Sequence, residues 1–192
     1  MKPNVGMVYP VAAAVTGYVP GTSITYTTGF VVAEARSATI SWETADGEFY
    51  GDDKLLDVDN SKTGYTIDFE PTGLSDTVRQ KLLGETASGT LYDVTDAVAP
   101  DVGFGFIRVM RDDSGSATVT NYEAWWFYKV KFSLNSEETA TKEKNIEWRT
   151  PTLNGKGMAV SLDTGANRFA QHSTFATLAA AKAYLNGKAN IS

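Results

Sequence analysis

Residues 121–132, NYEAWWFYKVKF, place six aromatic rings within twelve positions, which strongly constrains the local fold. Aromatic side chains fill β-sheet interiors and also stack on ligands. Side chains alternate between the two faces of a strand, so the even-numbered positions form one apolar face, which predicts core. Those positions are Tyr122, Ala124, Trp126, Tyr128, Val130 and Phe132. The opposite face is polar at both ends and carries Trp125 and Phe127 in its middle, where a ligand, a helix or another subunit could cover them.

Two further segments show the alternation typical of a strand with one buried face. The apolar residues of the first are Ala38, Ile40 and Trp42, and those of the second are Tyr65, Ile67 and Phe69. Polar side chains occupy the positions between them. Residues 104–111 and 145–149 are predicted to form further strands.

Turn-forming residues separate these strands. ADGE at 45–48 contains the Asp-Gly pair of a tight reversal, and the Asp-rich residues that follow it have no sustained period. We therefore predict a long loop over residues 43–64. DDSGSA at 112–117 predicts a turn, and LNGKG at 153–157 predicts an Asn-Gly hairpin turn.

Two helices are expected. SDTVRQKLLG, residues 75–84, begins with capping residues, carries an apolar stripe and ends in a glycine suited to the C′ position. TLAAAKAYLNG predicts a C-terminal helix over 177–187 that Asn186 and Gly187 end. The chain is thus expected to be a single β-rich α+β domain with at least seven strands, a short central helix and a C-terminal helix.

Composition excludes several classes of function. The chain has 17 basic and 23 acidic residues, a net charge of −6, and it lacks cysteine. Proteins that grip phosphate backbones are usually basic, so a dedicated nucleic-acid binder is not expected. The absence of cysteine excludes disulfides, thiolate metal sites and cysteine nucleophiles. No apolar run approaches the roughly 20 residues of a membrane span.

No residue is nominated for catalysis, cofactor binding or metal binding. The single histidine, His172, has no recognisable nucleophile partner, so we predict a position at the surface or at a hairpin end. The acidic run from Asp57 to Asp68 resembles a calcium loop, but Lys62 replaces the required glycine and an aspartate ends the run. GFGF at 103–106 lacks the third glycine of a dinucleotide motif. No pair of carboxylates stands out for glycoside hydrolysis.

The chain as a whole resembles the phi13-type family of siphovirus (phage) major tail proteins. The segments that carry the resemblance follow the family's order over nearly the full length: KPNVGMVYPVAA, GTSITYTTGFVVAEA, VGFGFIRVMR, YEAWWFYKVKF, SEETATKEKNIEWRTPTLNG and TLAAAKAYLNGKA. The resemblance implies a tail-tube fold, in which two packed, mostly antiparallel β-sheets form a sandwich or half-barrel flanked by a helix. An appended immunoglobulin-like domain is not expected, because the chain stops at Ser192.

The resemblance also implies a function and partners. Tail-tube subunits polymerise as stacked rings, expected to be hexameric, that form the conduit for DNA ejection. The partners would be further copies of the chain and the tape-measure, terminator and distal tail proteins. DNA would pass through without specific binding, which suits an acidic protein because like charges repel. The expected location is the virion, and the host cytoplasm during assembly; no enzymatic activity, cofactor or membrane is expected.

Within this family, particular residues are candidates for assembly. We predict that seven residues face the lumen: Ser37, Thr39, Ser41, Glu43, Thr66, Asp68 and Glu70. Residues 139–145 are a weaker candidate. The predicted inter-ring loop carries Asp52, Asp53, Lys54, Asp57 and Asp59. Residues 1–20 are expected to be an extended arm laid on a partner, and Trp125 and Phe127 are expected to pack under a helix or against the next subunit.

One alternative function is that of a binding module. A carbohydrate-binding or surface-binding β-sandwich, such as an adhesin or decoration protein, would use Trp125 and Phe127 as a stacking surface. A tube protein should form rings or tubes, whereas an adhesin should stay monomeric and bind glycans.

Overall fold

The computed structural model describes residues 3–112, 119–137, 150–162 and 167–192. Fifteen strands lie in these ranges: β1 Asn4–Val19, β2 Ser23–Tyr26, β3 Phe30–Val31, β4 Ala35–Thr44, β5 Gly47–Gly51, β6 Lys54–Asp59, β7 Lys62–Pro71, β8 Thr86–Ser88, β9 Leu91–Asp93, β10 Asp101–Asp112, β11 Val119–Ser136, β12 Thr152–Gly157, β13 Val160–Ser161, β14 Asn167–Arg168 and β15 Ala170–Phe175. The two helices are α1, Asp76–Leu83, and α2, Leu178–Ala189. The predicted turn at 112–117 lies outside the described ranges except for its first residue. The candidate lumen segment 139–145 and the predicted strand 145–149 lie wholly outside them.

The strands form one large antiparallel sheet and three small ones. The order in the large sheet is β2-β1-β10-β11-β12-β7-β4, with β3 paired to β1 and β15 paired to β11. The remaining strands pair as β5-β6, β8-β9 and β13-β14. The expected β-rich α+β class, with a short central helix and a C-terminal helix, is confirmed.

Strand β11 holds the large sheet together because it has different neighbours along its length. On one side it pairs with β10 as far as Lys131. On the other side it pairs first with β15, from Tyr122 to Phe127, and then with β12, from Val130 onwards. The aromatic stretch therefore spans the point at which the neighbour of β11 changes from β15 to β12.

The two faces of β11 cover two separate hydrophobic clusters. Ala124, Trp126 and Tyr128 pack in one cluster with α2, whose buried residues are Ala181, Leu185 and Ala189. The second cluster lies among β4, β7, β10, β12 and α1. It contains Phe127, Val130 and Phe132 of β11.

The even-numbered residues of β11 from Ala124 to Phe132 are buried, as predicted, but the prediction that they form one continuous face is wrong, because they belong to two different clusters. A register shift between β10 and β11 falls at Val102 and Phe104, opposite Val130 and Phe127. An irregularity of this kind shifts the alternation of side chains by one position. As a result the apolar face changes from one cluster to the other within the aromatic stretch, and the adjacent residues Phe127 and Tyr128 are both buried, one in each cluster.

The glycines of GFGF make room for an aromatic ring. A Cβ atom at Gly103 would lie 2.3 Å from the Trp126 side chain, and one at Gly105 would lie 2.7 Å from it. At Gly105 the next contacts include Leu185 of α2 at 3.0 Å. The glycines thus allow Trp126 to lie flat against β10 beneath the helix, which explains them without any ligand.

The prediction of a hairpin turn at LNGKG is wrong, because these residues form most of β12. Leu153 pairs with Leu134 on one side and with Phe69 on the other, so the segment runs through the middle of the sheet. Gly157 permits the Tyr65 ring to cross the strand: a Cβ there would lie 2.0 Å from a ring carbon. Local turn propensity yields here to packing in the tertiary structure.

We expect Gly157→Ala to lower the free energy of unfolding by about 1–3 kcal/mol, because the buried Tyr65 ring must move to admit the methyl group. Urea unfolding followed by tryptophan fluorescence measures this difference. The control is Gly187→Ala in α2, where nothing lies within 4 Å of the added atom. That substitution should raise stability by roughly 0.5–1 kcal/mol, since alanine favours helix. Equal effects at the two sites would contradict the close packing of the Tyr65 ring against Gly157.

Both helices begin at the predicted residues. In α1 the Ser75 side chain accepts a hydrogen bond from the Val78 amide, and Gly84 ends the helix with a φ of 76°. In α2 Thr177 caps the N-terminus through the Ala180 amide. The predicted end of α2 at Gly187 is wrong: the helix continues to Ala189, and Asn190 adopts the left-handed conformation instead.

The N-terminal segment is an interior strand, so the prediction of an arm laid on a partner is wrong for the described residues 3–20. Strand β1 pairs with β10 on one side and with β2 and β3 on the other. Val11, Ala12 and Ala13 are fully buried. The small alanines let the neighbouring strands and α2 approach β1 closely.

Candidate assembly surfaces

The predicted loop over residues 43–64 is an ordered antiparallel hairpin that extends the β4-β7 pair. The β4-β7 ladder runs to Thr44 and Lys62, and the Ala45 amide then donates to the Ser61 carbonyl at 2.7 Å. The β5-β6 ladder resumes at Gly47 and Asp59. The reversal predicted at ADGE is wrong, because the chain passes through that segment and turns further out.

Asp52 and Asp53 form the tip of this hairpin. They lie between the paired residues Gly51 and Lys54 and have φ angles of 50° and 58°. Positive φ at both central residues is what a type I′ turn requires, and aspartate is among the few residues other than glycine that tolerate it. The conformation of the tip therefore follows from Asp52 and Asp53 themselves, which the sequence analysis placed in the predicted inter-ring loop.

The β5-β6 hairpin buries almost none of its own apolar side chains. Every residue of β6 is exposed. Five large apolar side chains of the hairpin are 39–65% exposed: Phe49, Tyr50, Leu55, Leu56 and Val58. Several large apolar side chains exposed together on one hairpin usually mark a protein interaction site.

The seven residues predicted to face the lumen share one face of the β4-β7 pair. Ser37 lies opposite Glu70, Thr39 opposite Asp68 and Ser41 opposite Thr66, while Glu43 pairs with Gly64. The other face contributes Ile40, Ile67 and Phe69 to the hydrophobic core. We call the outward surface the polar sheet face.

The polar sheet face continues across β12 and β11, where its charge changes. Lys156 lies opposite both Thr66 and Lys131, and Asn154 donates to the Asp68 carboxylate at 2.7 Å. Asp101 of β10 then lies 3.4 Å from the Lys131 ammonium group. The face is acidic over β4 and β7 and basic over β12 and β11, which sequence reasoning missed because it considered only two strands.

Glu70 is fixed in place at the end of this face. Its carboxylate accepts hydrogen bonds from the Thr150 hydroxyl, the Ser37 hydroxyl at 3.2 Å and the Arg36 guanidinium at 3.0 Å. The Thr150 bond, together with those from Ser37 and Arg36, lowers the pKa of this carboxyl below its usual range. Glu70 therefore remains charged at neutral pH.

Trp125 belongs to a small polar and aromatic cluster formed by β10, β11 and β15. Its indole N–H donates to Glu123 at 2.6 Å. The His172 ring stacks on the Trp125 ring at 4.5 Å, and the Arg108 guanidinium lies 4.7 Å from its centroid. His172 also lies 3.2 Å from the Glu123 carboxylate. Groups from the two neighbouring strands thus cover the Trp125 ring.

Phe127 differs from Trp125 in burial. It is fully buried in the cluster that also contains Val78 and Leu82 of α1. A fully buried ring has no surface left for another chain, so the prediction that Phe127 could pack against the next subunit is wrong. Trp125 is partly buried, and its predicted role in subunit packing stays a prediction.

A second exposed apolar segment lies between α1 and β10. Leu91, Tyr92, Val94 and Val98 are 43–82% exposed. Sequence reasoning passed over these residues because the stretch lacks both the strand period and the helix period. Four large apolar residues within eight positions, flanked by Gly89 and Pro100, were the available sign of a surface segment.

Neither a metal centre nor a triad emerges from the described ranges. They contain no group of three or more His, Asp or Glu side chains arranged to hold a metal ion. The acidic residues from Asp57 to Asp68 are distributed over β6 and β7. His172 lies in strand β15 with its side chain about half exposed, which agrees with the predicted surface position.

The chain was compared with protein-family models and with curated protein sequences. No protein-family model matches the chain, and no curated protein sequence matches it. The part of the chain that the structure describes contains no helix long and apolar enough to cross a membrane. The tail-protein resemblance therefore stays a hypothesis that the geometry must support.

Proposed function

We propose that this chain is the major tail-tube subunit of a siphovirus, a structural protein that polymerises as stacked, hexameric rings to form the conduit for DNA. The observation that carries the proposal is the β5-β6 hairpin. It extends a sheet strand pair outward from the core and exposes five large apolar side chains. In a monomer these side chains would face water at a cost, whereas burial in a neighbour stabilises an assembly by about 25 cal/mol per Å².

A free sheet edge provides the second support. Strand β4 ends the large sheet and pairs only with β7 among the described strands. Part of β4 packs against β1, but its outer edge pairs with no described strand, and an unpaired edge invites pairing with another chain. In a ring, each β4 edge would be covered by a neighbouring subunit, so that the sheets join into one barrel and no edge remains open.

The polar sheet face would line the conduit. It adjoins the β4 edge, and its opposite side is the hydrophobic core, so joined sheets would present it as one continuous wall. The carboxylates of Glu43, Asp68 and Glu70 would repel the DNA backbone. The lysines on β12 and β11 would moderate this repulsion, and Asp101 neutralises part of their charge through Lys129 at 3.1 Å and Lys131 at 3.4 Å.

Further partners follow from the tail-protein resemblance alone. The tape-measure, terminator and distal tail proteins would contact the ends and the interior of the tube, in the virion and during assembly in the host cytoplasm. No catalytic residue, cofactor or specific DNA contact is assigned to the chain in this role.

The glycan-binding alternative loses the surface that motivated it. A stacking surface for sugars needs open aromatic faces. Phe127 is fully buried, and His172 and Arg108 cover Trp125. No other observation favours a carbohydrate site.

Electron microscopy of the purified protein tests the proposal. We expect negative-stain images of concentrated protein to show rings and stacked tubes with a central channel, and sedimentation to shift to large species as concentration rises. A protein that stays monomeric at high concentration would contradict the proposal, and glycan-array binding by that monomer would favour the alternative.

A further inference from the structure

A groove lies along the open edge of β11, beneath the exposed segment that precedes β10. Strand β10 pairs with β11 only up to Lys131, so no described strand occupies that side of β11 at residues 132–136. This groove has a volume of about 470 Å³. Its apolar lining includes Leu83, Val94, Ala97 and Leu134. Val94 is 82% exposed and Leu134 is 37% exposed.

The groove and the β5-β6 hairpin lie toward opposite ends of the same sheet. The β5-β6 hairpin precedes β7 and so adjoins its N-terminal end. Near that end Tyr65 pairs with Gly157 of β12, and Gly157 pairs in turn with Val130 of β11. Leu134 is at the other end, opposite Leu153, which pairs with Phe69. A contact between the hairpin of one chain and the groove of another would therefore join unlike ends. Such head-to-tail contacts do not close on a pair of chains and instead propagate into a ring or into a filament.

The charges of the two surfaces are complementary. The hairpin, residues 47–59, contains five acidic residues and one lysine, a formal charge of −4. Lys131 and Lys156 line the groove. Its one acid, Glu85, is 6% exposed and lies 3.4 Å from Arg79, which neutralises it. Asp101, 3.4 Å from Lys131, offsets part of that charge, so Lys156 supplies most of the basic character of the groove that would meet the acidic hairpin.

We infer that this groove is the docking surface for the β5-β6 hairpin of a second copy of the chain. The inference rests on the proposed function and adds to it the acceptor surface, which the sequence did not suggest. The exposed side chains Leu55 and Leu56 would enter the cleft between Val94 and Leu134. The aspartates of the hairpin would lie near Lys131 and Lys156, and the open edge of β11 would be covered.

Cysteine cross-linking tests the docking directly, because the chain has no cysteine of its own. One chain carries Leu56→Cys, and a second chain, made larger by a tag, carries Val94→Cys. Both sites are exposed, so neither variant should perturb folding. The two are mixed under mild oxidation and separated on a non-reducing gel. A disulfide forms only where the Cα atoms approach within about 7 Å.

The matched control replaces Val94→Cys with Val19→Cys, which is 56% exposed and lies at the end of β1. We expect about tenfold more mixed disulfide with the groove variant than with this control. Adding Lys156→Glu to the groove chain should lower the yield about fivefold, because like charges then meet. Lys188→Glu in α2 should leave the yield unchanged.

The outcomes separate this inference from the tube proposal. A mixed disulfide no more abundant than in the control overturns the docking surface, even if the micrographs show tubes, and the tube proposal then stands. A mixed disulfide well above the control in samples that form no tubes supports the docking surface and overturns the tube. Both results together support both statements.

Discussion

Replacing Phe49, Leu55 and Leu56 together by threonine should raise the protein concentration required for polymerisation by about three orders of magnitude. Each of these side chains is 50–65% exposed in the isolated chain. Full burial of such a side chain contributes about 1.5–3 kcal/mol, so burying the exposed half of each in a neighbouring subunit contributes roughly 1–2 kcal/mol, and every 1.4 kcal/mol corresponds to a tenfold change. Threonine retains the strand propensity of the hairpin, so only the apolar surface is lost.

Sedimentation and negative-stain microscopy over a concentration series measure this effect. The control carries Val5→Thr and Val19→Thr, which remove apolar groups of similar exposure, 57% and 56%, from β1 instead. The control should polymerise like the parent protein. Both variants should keep the parent free energy of unfolding to within about 0.5 kcal/mol, because exposed substitutions seldom affect folding. Tubes formed by the hairpin variant at the parent concentration would refute the assembly role of the hairpin.

Phe127→Ala should lower the free energy of unfolding by about 3–5 kcal/mol, the cost of removing a fully buried aromatic ring. The ring stacks on Phe106 at 6.0 Å and lies 5.1 Å from Tyr65, so its loss leaves a cavity at the centre of the core. For a chain of this size the melting temperature should fall by roughly 6–20 °C. Calorimetry or thermal circular dichroism measures the change.

The same substitution at an exposed phenylalanine provides the control. Phe49→Ala should change the free energy of unfolding by less than about 0.5 kcal/mol, because that ring is 65% exposed. If Phe127→Ala left stability intact and instead weakened assembly, the ring would belong to an interface and not to the core. The pair of variants thus separates the folding role of an aromatic ring from an assembly role.

Local chemistry was sufficient to predict several elements of the fold. Ser75 and Gly84 mark both ends of α1 because each satisfies backbone groups that the helix leaves unpaired. The period of two in β4 and β7 correctly separates the buried face from the exposed one, since one side of that strand pair is solvated along most of its length. These features depend on residues close together in the chain.

Other features depend on which strands become neighbours. The alternation of β11 fails where the register shifts opposite Val102, and LNGKG becomes a strand because β7 and β11 flank it on both sides. The polar sheet face is likewise larger than predicted, since Lys131 and Lys156 join it only through strand pairing. No local pattern contains this information.

By itself, the sequence determined the β-rich class, the two helices and the cap at the start of α1, the exposed face of β4 and β7, and an acidic, aspartate-rich excursion between them. Only the tertiary structure decided that this excursion is an ordered hairpin, that residues 4–19 are an interior strand, and that Phe127 is core. It also placed a groove at the opposite end of the sheet from the hairpin. The physical reason is that local conformation follows from neighbouring residues, whereas burial and open edges follow from pairing between strands far apart in the chain.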